Sequence, residues 1–366
     1  MRIILSGGGT GGHIYPAVAV AEALKRRMGE RVHILFVGAL GKMEMEKIPA
    51  LGYDIVGLPV AGLQRKLSAR NLLLPFKVAK SLAKARRTIR EFGADIVVGF
   101  GGYASAPVLK AAQSMGIPTV IQEQNSYAGV TNKILGRKAE RICVAYQGME
   151  RFFPADRIVM TGNPLRGNFA VAADRGEALR YFGLTDKLPV LLVVGGSLGT
   201  RTLNNMMKHW VDTITAEGRI QVIWQNGSYY NAEMEEYMSS RSSVGIWRGA
   251  FIDRMDYAYA AADLVVSRSG AGTVSELSLV GKPVIFVPSP NVAEDHQTKN
   301  AMALVDHDAA VMIPDSDAVQ KVIPFAMELI SDRKKLGALS ANIQKLAIPD
   351  SADRVADVIK SVANGV

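Results

Sequence analysis

Residues 6–16, SGGGTGGHIYP, place a histidine directly behind a glycine-rich loop. Gly7, Gly9 and Gly12 match the pattern G-x-G-x-x-G, in which glycines let a strand turn tightly into a helix and leave backbone N–H groups facing an anion. His13 follows at once, and because histidine titrates near neutral pH it is a candidate general base. The alternative is a structural helix cap. We expect the loop to present His13 at the carboxyl end of the first strand.

The same loop lacks the acidic residue that a dinucleotide site needs. In such sites a carboxylate at the end of the second strand holds the ribose hydroxyls. Here that strand ends FVGALGK, with Gly38 in the acidic position, and Glu44 and Glu46 come too late. The sequence therefore disfavours an NAD-dependent oxidoreductase.

A second loop of small residues occurs in the other half of the chain. In SRSGAGTVSEL, residues 269–273 would place unobstructed amide groups against a diphosphate at a helix start. Glu276 would lie on the first turn, where its carboxylate would accept hydrogen bonds from ribose hydroxyls. The alternative is a capping box between Thr273 and Glu276, which needs the same spacing. Residues 295–297 (DHQ) open a later helix, either within reach of a sugar or simply as an ordinary capped start.

The composition is that of a soluble globular protein with room for two domains: 366 residues, 48% hydrophobic and 21% charged. The single cysteine, Cys143, excludes an internal disulfide and suits a reducing compartment. No uncharged apolar stretch approaches the roughly eighteen residues needed to cross a bilayer, and the apolar run near Met1 is too short for a signal peptide. We therefore expect an intracellular protein that is not an integral membrane protein.

The elements that carry the loops repeat, because each half of the chain begins with a strand, a glycine loop and a helix. RIILSGGGTGG matches PVLLVVGGSLG, and DIVVGFGGYASAPVL matches DLVVSRSGAGTVSEL. Val- and Ile-rich runs without alternation are typical of strands buried on both faces of a parallel sheet. The predicted strands are RIIL, VHILFVG, DIVVGF, PTVIQE, RICVAY, RIVMTG, PVLLVVG, IQVIWQ, GIWRGAF, DLVVSR, PVIFVP and AAVMIP. We predict an α/β protein of two Rossmann-like domains that join near TGNPLRGNF, with a ligand cleft at the carboxyl ends of facing sheets.

Six motifs occur in series: GGGTGGHIYPAVAVA, GGYASAPVLKAA, IQEQNSYAGVTNK, GNPLR, GGSLGTRTLN and SRSGAGTVSEL. Together they resemble the MurG family of bacterial N-acetylglucosaminyltransferases, in glycosyltransferase family 28, from Arg2 to about Ala301. The resemblance implies a GT-B fold with an acceptor and membrane domain at 1–162 and a UDP-sugar domain at 163–345. A terminal helix within 346–366 would pack back on the first domain.

The resemblance implies UDP-N-acetylglucosamine as donor and lipid I, the undecaprenyl-diphosphate-linked muramyl pentapeptide, as acceptor. Inverting transfer to the muramyl C4 hydroxyl would give a β-1,4 linkage in lipid II for peptidoglycan synthesis. No cofactor is implied, and cell-wall and division proteins would be further partners. This chain departs from the family at Gly272, where other members have leucine, and at His296, where they have a second glutamine.

The resemblance also assigns donor-binding residues, motif by motif. The backbone of Ile252 in AFID would recognise the uracil, Glu276 the ribose, and Ser197 the diphosphate. Asn125 in EQN and Gln297 in HQTKNA would contact the transferred sugar. The full set carried over is Thr10, Gly11, Gly12, Asn125, Arg166, Ser197, Ile252, Ala271, Gly272, Thr273, Val274, Ser275, Glu276 and Gln297.

The implied chemistry needs a base for the muramyl hydroxyl. His13 is the candidate, with Tyr103 and Glu123 as helpers, and helix N-termini would stabilise the leaving UDP. No metal ligands are expected. The D-x-D sequence at 315–317 follows the last strand, where a helix cap is the simpler interpretation.

The formal charge of +9 is concentrated locally and favours an anionic partner. From Arg65 to Arg90 there are nine basic residues and no acidic one. A basic helical stripe beside leucine-rich surface, together with a lipid acceptor, favours peripheral adsorption to anionic lipid at the cytoplasmic face of the inner membrane. The predicted contacts are Leu72, Leu73, Phe76, Lys77, Lys80, Lys84 and Arg87. The alternative is a solvated helix face with its leucines in the core.

Two rival functions differ in what they require. Another GT-B enzyme, such as a UDP-N-acetylglucosamine 2-epimerase, would share the donor loop without needing lipid. Nucleic-acid binding rests on charge alone, and because no recognition motif or aromatic platform accompanies the basic stretch, no nucleic-acid partner is expected.

Overall fold

The structure, a computed structural model, describes residues 1–60, 74–165, 173–213 and 219–365. The chain forms two compact units. Unit 1 comprises Met1–Gly167 and Ile348–Val366, and unit 2 comprises Asn168–Ala347. Each unit is a parallel β-sheet flanked by helices, as the alternating strand and helix patterns predict.

Unit 1 is built on a seven-stranded parallel sheet. Its strands are β1 Arg2–Ser6, β2 His33–Ala39, β3 Asp54–Leu58, β4 Ile96–Gly99, β5 Thr119–Glu123, β6 Arg141–Val144 and β7 Ile158–Met160. They pair in the order β3-β2-β1-β4-β5-β6-β7. The central strands β1, β4 and β5 are almost entirely buried, which explains their unbroken apolar sequences.

Unit 2 is built on a six-stranded parallel sheet. Its strands are β8 Val190–Val194, β9 Gln221–Gln225, β10 Ile246–Gly249, β11 Leu264–Ser267, β12 Val284–Phe286 and β13 Val311–Met312, paired in the order β10-β9-β8-β11-β12-β13. The strand order reverses between β1 and β4 in unit 1 and between β8 and β11 in unit 2. Ligands of such sheets bind at the carboxyl ends of the strands beside this switch point.

Helices join the strands, as parallel pairing requires. They are α1 Gly11–Met28, α2 Glu44–Ala50, α3 Leu74–Phe92, α4 Ser105–Ser114, α5 Val130–Gly136, α6 Arg175–Tyr181, α7 Arg201–Thr213, α8 Asn231–Met238, α9 Met255–Ala261, α10 Ala271–Val280, α11 His296–Val305, α12 Ala318–Ser331, α13 Arg333–Lys345 and α14 Ser351–Ala363. Among the described residues, no helix combines the length and the apolar character that crossing a membrane requires.

The strand predictions are confirmed at all twelve places. The sequence analysis missed β3, an edge strand whose single neighbour is β2. Its sequence, DIVGL, begins with Asp54 and contains Gly57, and both residue types are depleted in strands. An edge position tolerates them because only one side of the strand is hydrogen-bonded.

The last helix, α14, belongs to unit 1 although the chain reaches it after completing unit 2. Its inner face carries Val355, Ala356 and Ile359, which join the core that β1 and α1 form. On its outer edge, Asp357 pairs with Arg27 of α1 at 2.7 Å. The core of unit 1 therefore includes the C-terminal helix.

Ile359→Ala should lower the free energy of unfolding of unit 1 by about 2–5 kcal/mol, because it removes a fully buried side chain and leaves a cavity. Asp357→Ala, which removes only an exposed ion pair with Arg27, should cost less than about 1 kcal/mol. All tryptophans lie in unit 2, so hydrogen exchange of the β1 and β4 amides is the measurement that reports unit 1 alone. Equal effects of the two variants would contradict the packing described here.

Candidate active site

His13 lies on the first turn of α1, directly after the glycine loop that follows β1. Its Nδ1 is 3.1 Å from the carbonyl oxygen of Gly8 and 3.2 Å from Oγ1 of Thr10. A carbonyl only accepts hydrogen bonds, so Nδ1 carries the proton in the contact with Gly8. The neutral ring then keeps its lone pair on Nε2, which is the state that a general base needs.

The loop after β4 passes beside the imidazole of His13. A Cβ at Gly101 would lie 3.1 Å from Nε2 and 3.0 Å from Cδ2 of that ring. The φ of Gly101 is 93°, a left-handed value that other residues rarely adopt. Glycine therefore lets the loop approach the ring without a side chain against Nε2. Tyr103, a predicted helper, follows on this loop and is 59% exposed, so its side chain is accessible to a substrate.

Glu123, the other predicted helper, is 2% exposed and holds the loop after β5. Its Oε1 accepts hydrogen bonds from the backbone N–H and Nδ2 of Asn125 at 3.1 and 3.2 Å. Its Oε2 accepts from the N–H of Gly129 at 3.1 Å and from Nδ2 of Asn132 at 2.9 Å. A carboxylate with these four contacts orients its loop. Glu123 therefore positions Asn125, the predicted sugar contact, and its role as a helper of the base stays a prediction.

Thr10, Gly11 and Gly12 form the start of α1, and Thr10 is its N-cap residue. Thr10 and Gly12 are exposed, so this helix start is accessible to a ligand. The glycine pattern predicted that backbone N–H groups of this loop face an anion. That interpretation is wrong for Gly9, because its N–H donates to both carboxylate oxygens of Glu44.

The second predicted loop opens α10 after β11. Gly270 is the N-cap residue and the helix begins at Ala271, so Ala271, Gly272 and Thr273 form its first turn. The first N–H groups of a helix have no acceptor within the helix, and the helix dipole is positive there, which suits a diphosphate. The alternative capping box is wrong, because Thr273 is the third helical residue rather than the N-cap. Glu276 accordingly lies on the second turn, not the first.

Glu276 contacts Tyr259 of α9, whose hydroxyl lies 3.1 Å from Oε2. Burial raises the pKa of the Glu276 carboxyl from its usual 4.5 to about 7, and the hydrogen bond from Tyr259 acts in the opposite direction. Burial also raises the pKa of Tyr259 well above its usual range, so the hydroxyl stays protonated as a donor. A ligand with further donors, such as ribose hydroxyls, would favour the ionised carboxylate.

Gln297 ties the loop after β12 to the loop after β11. Oγ of Ser269 donates to the backbone carbonyl of Gln297 at 2.8 Å, and the N–H of Ser289 donates to its Oε1 at 2.9 Å. The side-chain oxygen is therefore held, and Nε2 is the hydrogen-bond donor of this amide. Next to it, Nε2 of His296 lies 3.5 Å from a carboxylate oxygen of Glu294.

Ser197 and Ile252 lie on the loops after β8 and β10, and Gln225 of β9 links these loops. Gln225 is 4% exposed; its Nε2 donates to the carbonyls of Gly196 at 2.9 Å and Ala250 at 3.1 Å. The Ile252 side chain is buried, so a ligand at this position would meet the backbone and not the side chain. The sequence analysis missed Gln225, although a buried polar residue ending the apolar strand QVIWQ was a signal.

The D-x-D sequence makes contacts within unit 2. Asp315 pairs with Arg268 and accepts a hydrogen bond from Thr202 at 3.0 Å, while Asp317 pairs with Lys321 at 2.7 Å. Asp317 is the N-cap residue of α12, which confirms the predicted position at a helix start, although its side chain makes no capping hydrogen bond. Across the four described ranges, no cluster of three or more His, Cys, Asp or Glu side chains has the arrangement to hold a metal ion.

The predicted basic stripe lies on α3. Its exposed members are Lys77, Lys80, Lys84 and Arg87. The opposite face is buried at Ser81, Ala85 and Ile89. Nζ of Lys84 donates to a backbone carbonyl of β3 at 2.8 Å, and Arg87 pairs with Glu91 at 2.7 Å. Of the other predicted membrane contacts, Phe76 lies on the first turn of α3, whereas Leu72 and Leu73 lie outside the described residues. Arg166, which was predicted as a donor contact, also lies outside them.

Comparison with known proteins gives matches along nearly the whole chain. The glycosyltransferase family 28 N-terminal domain matches residues 3–144, and the C-terminal domain of that family matches residues 190–355. The UDP-N-acetylglucosamine–N-acetylmuramyl-(pentapeptide) pyrophosphoryl-undecaprenol N-acetylglucosamine transferase of Parabacteroides distasonis is 55% identical, over 99% of this chain and 98% of that protein. The protein of that description from Bacteroides fragilis is 53% identical, over 98% of this chain and 95% of its own length.

Among solved structures, the crystal structure of Acinetobacter baumannii MurG is similar, with a TM-score of 0.78 and 29% identity. The match covers 98% of this chain and 99% of that one. The two parallel-sheet units and this match confirm the GT-B fold. Both domain matches and the near-complete relatives lead to one assignment: the chain belongs to glycosyltransferase family 28.

Proposed function

We propose that this protein transfers N-acetylglucosamine from UDP-N-acetylglucosamine to the C4 hydroxyl of the muramyl sugar of lipid I, producing lipid II. The observation that carries this proposal is the 55% identity, over 99% of the chain, to a relative named for this transfer. The residues at the strand ends of each unit support it, because their chemistry suits the two substrates.

Unit 2 would bind the donor. The first turn of α10 offers N–H groups to the diphosphate, and the Ser197 hydroxyl adds a donor from the loop after β8. Glu276 accepts from the ribose hydroxyls, Nε2 of Gln297 donates to the sugar, and the backbone at Ile252 meets the uracil edge. Each part of UDP-N-acetylglucosamine would thus meet a chemically matched group at the carboxyl ends of the strands of unit 2.

Unit 1 would supply the base. Nε2 of His13 takes the proton of the C4 hydroxyl as its oxygen attacks the anomeric carbon, and the bond from that carbon to UDP breaks on the opposite face. UDP leaves with the electron pair, and the product is inverted. The N-terminus of α10 stabilises the charge that develops on the diphosphate. The two substrates contain all the reacting groups, so the proposal includes no cofactor.

Measurement of UDP release with and without a lipid I analogue tests the proposal. Transfer requires the acceptor hydroxyl, so release should rise steeply when the analogue is added. A 2-epimerase uses the same donor but needs no lipid. Release at an equal rate without the analogue would contradict the proposed function and favour that rival.

We further propose that the protein acts as a peripheral protein at the cytoplasmic face of the inner membrane, where a lipid-linked acceptor is reached. The exposed lysines and arginine of α3 support this, because a basic helix face is attracted to anionic lipid. Lys77 and Lys80 lie near the start of the helix on its exposed face. They are the best probes of this surface.

Lys77→Gln/Lys80→Gln should weaken binding to anionic vesicles by about 30-fold, because each lysine near the surface contributes about 1 kcal/mol. The control Lys187→Gln/Lys334→Gln removes the same charge from exposed positions of unit 2 and should change binding less than about twofold. Vesicle co-sedimentation at low and high salt measures both. Equal losses in the two variants, or binding that ignores lipid charge and salt, would count against this surface.

A further inference from the structure

We infer that Glu44 is a positioning residue for the transfer reaction: through the peptide group between Gly8 and Gly9, its carboxylate keeps His13 in the tautomer that has a basic Nε2. The inference rests on the proposed role of His13 as the base. It concerns a residue that the sequence analysis set aside as too late to bind a ribose.

The Glu44 carboxylate joins the ends of two neighbouring strands. Glu44 begins α2 and is 1% exposed. Its Oε1 and Oε2 accept from the N–H of Gly9 at 3.2 and 3.1 Å, and Oε1 also accepts from the N–H of Ala39 at 2.9 Å. A buried carboxylate needs such bonds to offset the loss of water. Glu44 therefore fixes the loop after β1 to the end of β2.

Two glycines leave the space that this side chain occupies. A Cβ at Gly8 would overlap Oε1 of Glu44, and a Cβ at Gly38 would lie 2.5 Å from its Cγ. Gly38 stands where a dinucleotide-binding protein carries its ribose-binding acid. In this protein the carboxylate comes from Glu44 of α2, whose side chain packs against Gly38 and accepts a hydrogen bond from the N–H of Gly9. The glycine loop therefore matches the dinucleotide pattern while its anion-binding group is already taken by the chain itself.

One planar peptide group connects Glu44 to His13. The N–H of Gly9 and the carbonyl of Gly8 belong to the same peptide unit and point in opposite directions. The N–H donates to Glu44, and the carbonyl oxygen lies 3.1 Å from Nδ1 of His13. Glu44 thus sets the plane of the group that accepts the Nδ1 proton. Hydrogen bonds in such a chain also polarise one another, which strengthens the carbonyl as an acceptor.

The consequence for catalysis is a defined proton position. With Nδ1–H held by Gly8, the neutral imidazole presents its lone pair at Nε2, and the imidazolium that forms during transfer keeps a polarised acceptor. Without Glu44 the peptide can rotate, and the ring can change tautomer or turn. The rate of proton transfer should then fall while donor binding in unit 2 stays unchanged.

Glu44→Gln tests this with little change in shape, because it removes the negative charge and replaces one of the two oxygens that face the N–H of Gly9 with an amide nitrogen, which cannot accept; the remaining amide oxygen is a weaker, uncharged acceptor. We expect kcat to fall about 10- to 100-fold, with KM for UDP-N-acetylglucosamine within about twofold. Glu46→Gln changes an exposed carboxylate of the same helix and should match the wild type. When His13 is already replaced by alanine, adding Glu44→Gln should lower kcat by less than about threefold, because the two residues act through one another. An undiminished cost there would overturn the inference.

A second measurement does not depend on activity. Nitrogen NMR of labelled histidine should show the His13 signal, assigned by its loss in His13→Ala, as the Nδ1–H tautomer in the wild type and as a mixture in Glu44→Gln. If Glu44→Gln does not fold, Gly38→Ala displaces the Glu44 side chain from the β2 side and should produce the same mixture. An unchanged tautomer in a folded variant would refute the inference. Absence of lipid I-dependent transfer by the wild type would instead count against the proposed function.

Discussion

His13→Ala should lower kcat by about 10²- to 10⁴-fold, which is the range that a positioned general base contributes. KM for UDP-N-acetylglucosamine should stay within about twofold, because the predicted donor contacts of unit 2 are untouched. The reason is geometric: Nδ1 is engaged by Gly8, so Nε2 is the ring atom that can take a proton. Initial-rate measurements with a lipid I analogue, at several donor concentrations, separate the two parameters.

The matched control for this prediction is His33→Ala. His33 is an exposed histidine at the start of β2, at the opposite end of the strand from the loops. Its removal should leave both parameters unchanged. A nearly normal rate in His13→Ala would remove this histidine from the mechanism and leave the base unassigned.

Glu276→Ala should weaken binding of UDP-N-acetylglucosamine by about 10- to 100-fold, because hydrogen bonds to a charged group contribute about 1.5–3 kcal/mol. Calorimetry of the free enzyme measures this directly. Glu328→Ala removes an exposed carboxylate of α12 in the same unit and should leave the affinity unchanged. Unchanged affinity in Glu276→Ala would show that the Tyr259 contact is purely structural.

The same residue predicts how donor affinity depends on pH. Burial raises the pKa of Glu276 to about 7, so part of the free enzyme carries a neutral carboxyl at neutral pH. Ribose hydroxyls favour the ionised form, so affinity should rise from about pH 6 to about pH 8, and binding near neutrality should release a proton. Glu276→Gln should abolish this dependence. Calorimetry in buffers of different ionisation enthalpy detects the released proton.

The architecture could be predicted because buried parallel strands have a distinctive sequence. Runs such as RIIL and PVLLVV combine apolar side chains with a following glycine loop, and each became a central strand. The exception, β3, lies at an edge, where an aspartate and a glycine are tolerated and the apolar signal is weak. The other edge strands, β7, β10 and β13, are also only partly buried but keep a recognisable apolar run, and they were predicted. The miss therefore reflects the sequence of β3 and not its edge position alone.

The candidate site was predictable only in part. Loop motifs located His13 and the start of α10, because glycines and a helix start mark such places in the sequence. Side chains that bridge two loops are marked only weakly in the sequence, because Glu44 and Gln225 act on backbone groups 35 and 25 residues away. A glycine at position 38 was a visible sign of Glu44, since it makes room for that side chain.

The most direct test of the account is to follow the sugar itself. The enzyme is incubated with UDP-N-acetylglucosamine labelled in the sugar and with a lipid I analogue, and the lipid product is isolated for linkage analysis. We expect the label to move to the muramyl C4 position in a β linkage. Label that stays on the nucleotide, or appears in an epimerised sugar without any lipid product, would contradict it.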